Sequence, residues 1–414
     1  MFKSILISTL VICFVFSSLL YAGDAEDPSV KPGIEVLLTD ADYLKLVKGK
    51  KVGLITNPTG VNHKMVSTID LMHEHSDIKL AALFGPEHGV RGDAYAGEHV
   101  GEDKDEKTGV VIHSLYGKTR RPPQEWLKDL DVMVYDIQDV GSRSYTYIYT
   151  MAYCMEACGE AKIPFIVLDR PNPCGAHIVD GNILNPKQHS TFVGLYPIAY
   201  QYGMTPGEVA KMFNNEFNKT KCELTVVPMK GYKRDMLQED TGLPFVPTST
   251  HIPHWEQSVY YNLTGIIGEN RGISIGVGYT LPFETLAAPW INRDEFCDAL
   301  TAKNLPGLLF RPISYKPRYA AHSDKMCHGV HIYITDYHKV RPVTAQIHFM
   351  EVIQDLYPEE NLFRDEWSGG FDRVMGQDSI RQRIRKGDSA KAIINDYEKE
   401  LPAFMKMREK YLVY

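Results

Sequence analysis

Glu87 and Glu98 lie on one stretch crowded with glycine and small residues, Gly85-Pro-Glu-His-Gly-Val-Arg-Gly-Asp93 followed by Ala96-Gly-Glu-His99. Two carboxyl groups so placed can divide acid and base work, burial raising the pKa of one while the other stays ionised. The structural alternative is that these carboxylates cap helices or pair with Arg91. His88 stands where it can orient Glu87 or polarise a substrate. Further along, Asp136-Ile-Gln-Asp-Val-Gly-Ser-Arg-Ser-Tyr-Thr-Tyr147 carries Asp136, Gln138, Asp139, Arg143, Tyr145 and Tyr147, and Asp169-Arg-Pro-Asn-Pro173 carries Asp169, Arg170 and Asn172. Tyrosine joins an apolar ring to a hydrogen-bonding tip, which suits a sugar ring; the same tyrosines also suit the start of a buried helix. The chain has no H-E-x-x-H pair, no Walker loop and no G-x-S-x-G elbow. Gly272-x3-Gly276-x-Gly278 is not a dinucleotide fingerprint. Chemistry without a cofactor is the expectation. A metal-dependent hydrolase using Glu87, His88, Asp136 and Asp139 is the competing enzymatic reading.

Each of these polar groups follows an apolar run. Lys51–Asn57, Lys79–Phe84, Asp131–Asp136 and Pro164–Asp169 read as strands, and Cys222–Pro228 as another. Helical patterns at Val66–His75 and Tyr145–Ala161 alternate with them, and a further helix starts at Thr205-Pro206, an N-cap followed by proline at the first position. Continuous apolar strands alternating with helices predict a parallel sheet covered on both faces, a Rossmann-like doubly wound α/β domain. In such sheets ligands bind beyond the carboxyl ends of the strands, where the three polar segments would converge. Thr241–Pro253 reads as a long loop and Ile273–Ala288 as Gly-rich and β-like. The rest, with helices at Asp294–Ala302, Val343–Tyr357 and Ala390–Tyr411 and a β run at Gly329–Thr335, reads as a smaller α+β domain. The expected division is a catalytic domain over 23–290 and a C-terminal domain over 291–414.

The whole chain has 414 residues, 44% hydrophobic and 23% charged, enough apolar content and length for a sizeable core. A net charge of −7 argues against a protein that tracks nucleic-acid phosphates. Lys3, the apolar run Ile5–Tyr21 and the small pair Ala22-Gly23 have the layout of a cleaved secretory signal over 1–22, so export to the periplasm or beyond is expected. An uncleaved anchor is the alternative. No later segment is long and apolar enough to span a membrane. Six cysteines remain after the leader, none in a C-x-x-C pair; buried free thiols are expected.

The segments Phe84-Gly-Pro-Glu-His-Gly-Val-Arg-Gly92, Tyr135–Tyr147, Leu168-Asp-Arg-Pro-Asn-Pro173 and Pro282-Phe-Glu-Thr-Leu-Ala-Ala-Pro-Trp290, in that order, resemble the NamZ-type exo-β-N-acetylmuramidases, long catalogued as a domain of unknown function. The resemblance runs from near Lys51 to the C-terminus. It departs at Gly268–Glu284, where relatives carry a shorter Ser-Glu-Gly-Arg-Gly-Thr-type stretch. It implies a Rossmann-like catalytic domain joined to a smaller one, with the active site in the cleft between them. It further implies release of terminal N-acetylmuramic acid from the non-reducing end of peptidoglycan fragments, and it maps the catalytic glutamates onto Glu87 and Glu98. On this view Glu87 is the general acid, while Glu98 serves as base or nucleophile, or positions the acetamido group. Arg143, Arg170 or Arg271 could pair with the lactyl carboxylate of muramic acid. Arg91, Asp136, Gln138, Asp139, Tyr145, Tyr147, Asp169, Asn172 and Glu284 complete the expected substrate-binding set. A non-catalytic cell-wall glycan-binding protein would keep the tyrosines and arginines without needing Glu87 beside a second acid.

Overall fold

The computed structural model describes residues 28–87, 89–92, 103–360, 362–363 and 365–414. The expected leader, His88 and Glu98 lie outside the described residues. Among the described residues there are twelve strands: β1 (Lys51–Thr56), β2 (Lys79–Gly85), β3 (Asp103–Lys104), β4 (Val111–Ser114), β5 (Val132–Asp136), β6 (Phe165–Leu168), β7 (Asp180–Ile183), β8 (Ala199–Gln201), β9 (Leu224–Val227), β10 (Thr285–Ala288), β11 (Leu308–Tyr315) and β12 (Cys327–Ile334).

Seven of them form one sheet in the order β3-β4-β2-β1-β5-β6-β9. Every neighbouring pair is parallel except β3 with β4. From β4 to β9 the order is that of a Rossmann fold, the chain moving outward from β1 in one direction and then, from β5, in the other. The strands read as apolar runs because both faces are buried. Along β5, Met133 and Tyr135 join one cluster with the helix Tyr147–Ala161, while Val132 and Val134 join another with Ile34 and Leu37 of Gly33–Thr39 and Ile69 and Met72 of Thr68–Glu74. The helix Pro206–Met212 starts as expected: the Thr205 side chain accepts from the Glu208 N–H, and Glu208 returns a bond to the Thr205 N–H.

The C-terminal region packs a three-stranded antiparallel sheet, β10-β12-β11, with the helices Glu256–Gly268 and Pro342–Leu356 around a separate core. Within the Gly-rich stretch only Thr285–Ala288 is a strand; the rest turns back on itself. Gly276 has φ +84, and a Cβ there would lie 1.8 Å from the Leu281 carbonyl oxygen, so only glycine closes this turn. The helix expected over 390–411 is two, Ala390–Tyr397 and Leu401–Glu409, with Pro402 in the first turn of the second. All six described cysteines are buried and free. No helix among the described residues is long and apolar enough to cross a membrane.

Candidate active site

The carboxyl ends of β2, β4 and β5 meet the C-terminal region around a cavity of about 580 Å³. Glu87, immediately beyond β2, lines it. Tyr116, just beyond β4, lines the cavity beside Glu87; burial first, and then the neighbouring Glu87, push the Tyr116 pKa up to about 12. That tyrosine therefore keeps its proton at neutral pH. Tyr145 and Tyr147, beyond β5, form another wall, their rings edge to face at 5.0 Å. Tyr147 is fixed by donating to the Thr248 carbonyl at 2.7 Å, and Tyr145 by donating to Thr248 Oγ1 at 3.0 Å. Arg120 and Arg373 reach the same cavity, Arg120 with its guanidinium 4.2 Å above the Phe192 ring. Neither arginine has an ion pair to a carboxylate among the described residues.

A second cavity, of about 700 Å³, shares Tyr261 and Phe283 with the first. Arg271 lines this one, its guanidinium 4.3 Å above Trp367. Glu269 lies in the same wall; burial raises its pKa, while Arg271 and Arg373 pull it back.

Most of the other expected substrate contacts are instead tied up in the scaffold beneath the cavity. Asp136, at the point where the strand order reverses, is fully buried and receives Arg170 Nη2 at 2.9 Å and Thr68 Oγ1 at 2.5 Å; Arg170 also donates to the Val61 carbonyl at 2.8 Å. Gln138 donates to the carbonyls of Pro171 at 2.7 Å and Asp139 at 2.8 Å. Asn172 donates to the Met204 carbonyl and accepts from the Cys174 N–H, both at 3.0 Å. Asp139 accepts from Tyr202 and the Gly141 N–H. Asp169 accepts from Thr205 Oγ1 and the Gly207 N–H at the start of Pro206–Met212. Arg91 forks onto Asp105 at 2.7 and 3.0 Å and reaches Asp70 at 2.9 Å, rather than pairing with Glu87. Glu284 is held by Gln257 at 2.8 Å and His331 at 3.2 Å. Arg143 is 0% exposed and donates to four backbone carbonyls, so it faces no cavity. These residues share the strand-end address of the cavity-lining residues, but their partners are interior groups that a linear sequence does not reveal.

Two of these buried acids give the fold a pH dependence. Burial pushes Asp139 up to about 6 and Asp169 up to about 7 from the ordinary 3.8, against the hydrogen bonds they accept. The folded chain keeps both protons at pH values where the unfolded chain has lost them. This contribution to stability is full below about pH 4 and is lost as pH rises through about 6 to 7. Asp139→Asn cannot titrate, so the fall in urea midpoint between about pH 5 and about pH 8 should shrink relative to wild type. An undiminished fall would locate the titration elsewhere.

Among the described residues no three His, Cys, Asp or Glu side chains gather as a metal site. Of the four groups the metal-dependent reading would use, Asp136 is engaged by Arg170 and Asp139 by Tyr202.

The sequence reading missed Tyr116, Arg120, Tyr261, Phe283, Trp367 and Arg373. The first two follow a parallel strand and obey the strand-end rule, but β4 is only four residues long and was not recognised.

Comparison with known proteins gives a consistent picture. The family model described as exo-β-N-acetylmuramidase NamZ, N-terminal, matches residues 52–256, and its C-terminal counterpart matches residues 259–414. The chain is 51% identical over 390 residues to the peptidoglycan β-N-acetylmuramidase NamZ of Bacillus subtilis (strain 168), covering 94% of this chain and 92% of that protein. Two crystal structures of DUF1343 family proteins from Bacteroides fragilis NCTC 9343 are similar. One has a TM-score of 0.88 at 44% identity, the other 0.74 at 29%, each over 93% of this chain and 99% of theirs.

Proposed function

Because this chain belongs to the NamZ family of exo-β-N-acetylmuramidases, we propose that it releases terminal N-acetylmuramic acid from the non-reducing end of peptidoglycan fragments, with Glu87 as the general acid. It is a glycoside hydrolase. Breaking a glycosidic bond requires one carboxylic acid to protonate the departing oxygen and a second group to meet the developing positive charge at the anomeric carbon. The observation that supports Glu87 as the acid is its position: it lines an aromatic cavity beyond β2, with Tyr116 beside it. Glu98 is the proposed second carboxylate, acting as base or nucleophile or positioning the acetamido group.

The charge pattern favours an anionic sugar. Arg120 and Arg373 face the cavity, and Glu87 is the one carboxylate lining it among the described residues. Guanidinium groups offer paired N–H donors that fit the lactyl carboxylate of a muramyl unit. A glucosaminyl unit lacks that carboxylate and would leave the cations unmatched.

The test is turnover of a chromogenic β-N-acetylmuramide beside the matching glucosaminide, each with and without EDTA. The muramide should be hydrolysed at least about a hundredfold faster, with no loss to the chelator. Comparable turnover of both sugars would sink the specificity, and abolition by EDTA would restore the metal-dependent reading.

A further inference from the structure

We propose that the second cavity is the aglycone site. It seats the N-acetylglucosaminyl unit that departs when the muramyl bond breaks, with Trp367 and Arg271 as its main contacts. This rests on the muramidase reading above and adds the place of the leaving sugar to it.

A hydrolase of chain ends must hold one ring on each side of the scissile bond. Here two cavities abut, with Tyr261 and Phe283 common to both. A line of rings packed edge to face runs between them: Tyr147 to Tyr145 at 5.0 Å, Tyr145 to Tyr261 at 5.9 Å, and Tyr261 to Phe283 at 5.1 Å. It begins at the wall of the Glu87 cavity and ends in the second. The volume of about 700 Å³ is in the range of cavities that bury a small ligand.

Charge decides which ring goes where. The anionic muramyl ring belongs with Arg120 and Arg373 in the Glu87 cavity. The second cavity has apolar walls at Ile273, Ile275 and Val277, against which the C–H face of a neutral sugar can pack. Its polar groups are suited to hydroxyl and acetamido partners. Arg271 lies over the Trp367 ring, an arrangement that leaves its in-plane N–H donors available. Glu269 supplies a carboxyl group in the same wall. Arg271 also has φ +52, a left-handed conformation that costs a non-glycine residue energy and tends to persist where a side chain must be aimed.

The roof is the loop joining β11 to β12. Ala320, Ala321 and His322 line the cavity, and Ala320 and His322 have φ of +65 and +59. His322 Nε2 is 2.7 Å from the Gly272 carbonyl, and the Tyr319 hydroxyl is 3.0 Å from Nε2 of His251, which lines the Glu87 cavity. One loop is thereby pinned across both cavities.

The test compares two substrates, an aryl β-N-acetylmuramide and the disaccharide β-N-acetylmuramyl-(1→4)-N-acetylglucosamine, in wild type, Trp367→Ala and Ala321→Trp. Loss of the ring that holds the Arg271 guanidinium in the cavity wall, or filling of the cavity from its roof, should lower the disaccharide-to-aryl ratio of kcat/KM by about tenfold. Inhibition by free N-acetylglucosamine should weaken in the same proportion. Ala321→Trp leaves Trp367 and its helix intact, so the pair separates loss of the site from loss of packing. An unchanged ratio in both variants would overturn the aglycone assignment while leaving the muramidase reading in place. A wild type inert on both substrates would instead remove the muramidase reading, and this one with it.

Discussion

Glu87→Gln is expected to lower turnover of a natural muramyl glycoside by about 10²–10⁴-fold, the usual weight of general acid catalysis. The fold should be left close to wild type. The amide has the shape of the carboxyl group and fills the same place beside Tyr116. What is lost is the transferable proton. An aryl glycoside with an activated leaving group needs less protonation of its departing oxygen, so its rate should fall much less in the glycosylation step. The contrast between substrates separates an acid from a binding residue, whose loss would affect both alike. The structural alternative, Glu87 paired with Arg91, has little room: Arg91 is already engaged by Asp105 and Asp70. If Glu87 were structural, the variant would melt lower while its folded fraction kept wild-type turnover. Wild-type rates on the natural bond from a folded Glu87→Gln protein would end the case for this residue.

The sheet was legible because its physics is local. Runs such as 52–55 and 132–134 are buried at every position and so carry no polar side chain. The Thr205-Pro206 start was legible because a cap and a proline act on their own backbone. Glu256–Gly268 was not recognised, because Gln257–Tyr260 and Asn262–Ile267 are all buried and leave too narrow a polar stripe to mark a helical period. Strand β11 was hidden by Pro312, which an edge position in β10-β12-β11 accommodates. For the site, the strand-end rule located Glu87, Tyr145 and Tyr147 but could not rank the polar residues beside them. Whether Asp136 faces a substrate or Arg170 depends on a contact 34 residues away along the chain. Trp367 and Arg373 reach the cavities from the far end of the chain, and no local pattern announces that approach.

Arg143 shows how such a residue is to be read, and its substitution is expected to carry the largest stability cost. Its Nη1 donates to the carbonyls of Asn182 at 2.7 Å and Ile198 at 2.9 Å, in and beside the β7–β8 pair. Its Nη2 donates to Met375 at 2.6 Å and Val374 at 3.3 Å, at the carboxyl end of the helix Asp365–Met375, where a cation also meets the negative end of the helix dipole. Gly376, at φ +74, makes room: a Cβ there would lie 2.9 Å from Nη2. The side chain thus pins the loop after β5 to the C-terminal region. Burial lowers its pKa to about 10, which still leaves it charged at neutral pH. Arg143→Met removes the charge and takes a donor from each of four carbonyls, of which Met375 keeps Asn182 Nδ2 and Ile198 keeps the Leu184 N–H, at an expected cost of about 3–5 kcal/mol, the range for breaking a buried charged network. That is a large share of the roughly 5–15 kcal/mol that holds a domain together, so poor solubility of this variant is part of the prediction. Arg143→Lys keeps the charge but not the planar fork, and should lose about 1–3 kcal/mol, read as a lower urea midpoint. The KM of its folded fraction for a muramide should stay near wild type, because the group lies beneath the cavity and touches nothing in it. A lysine variant of undiminished stability with a raised KM would instead return Arg143 to the substrate.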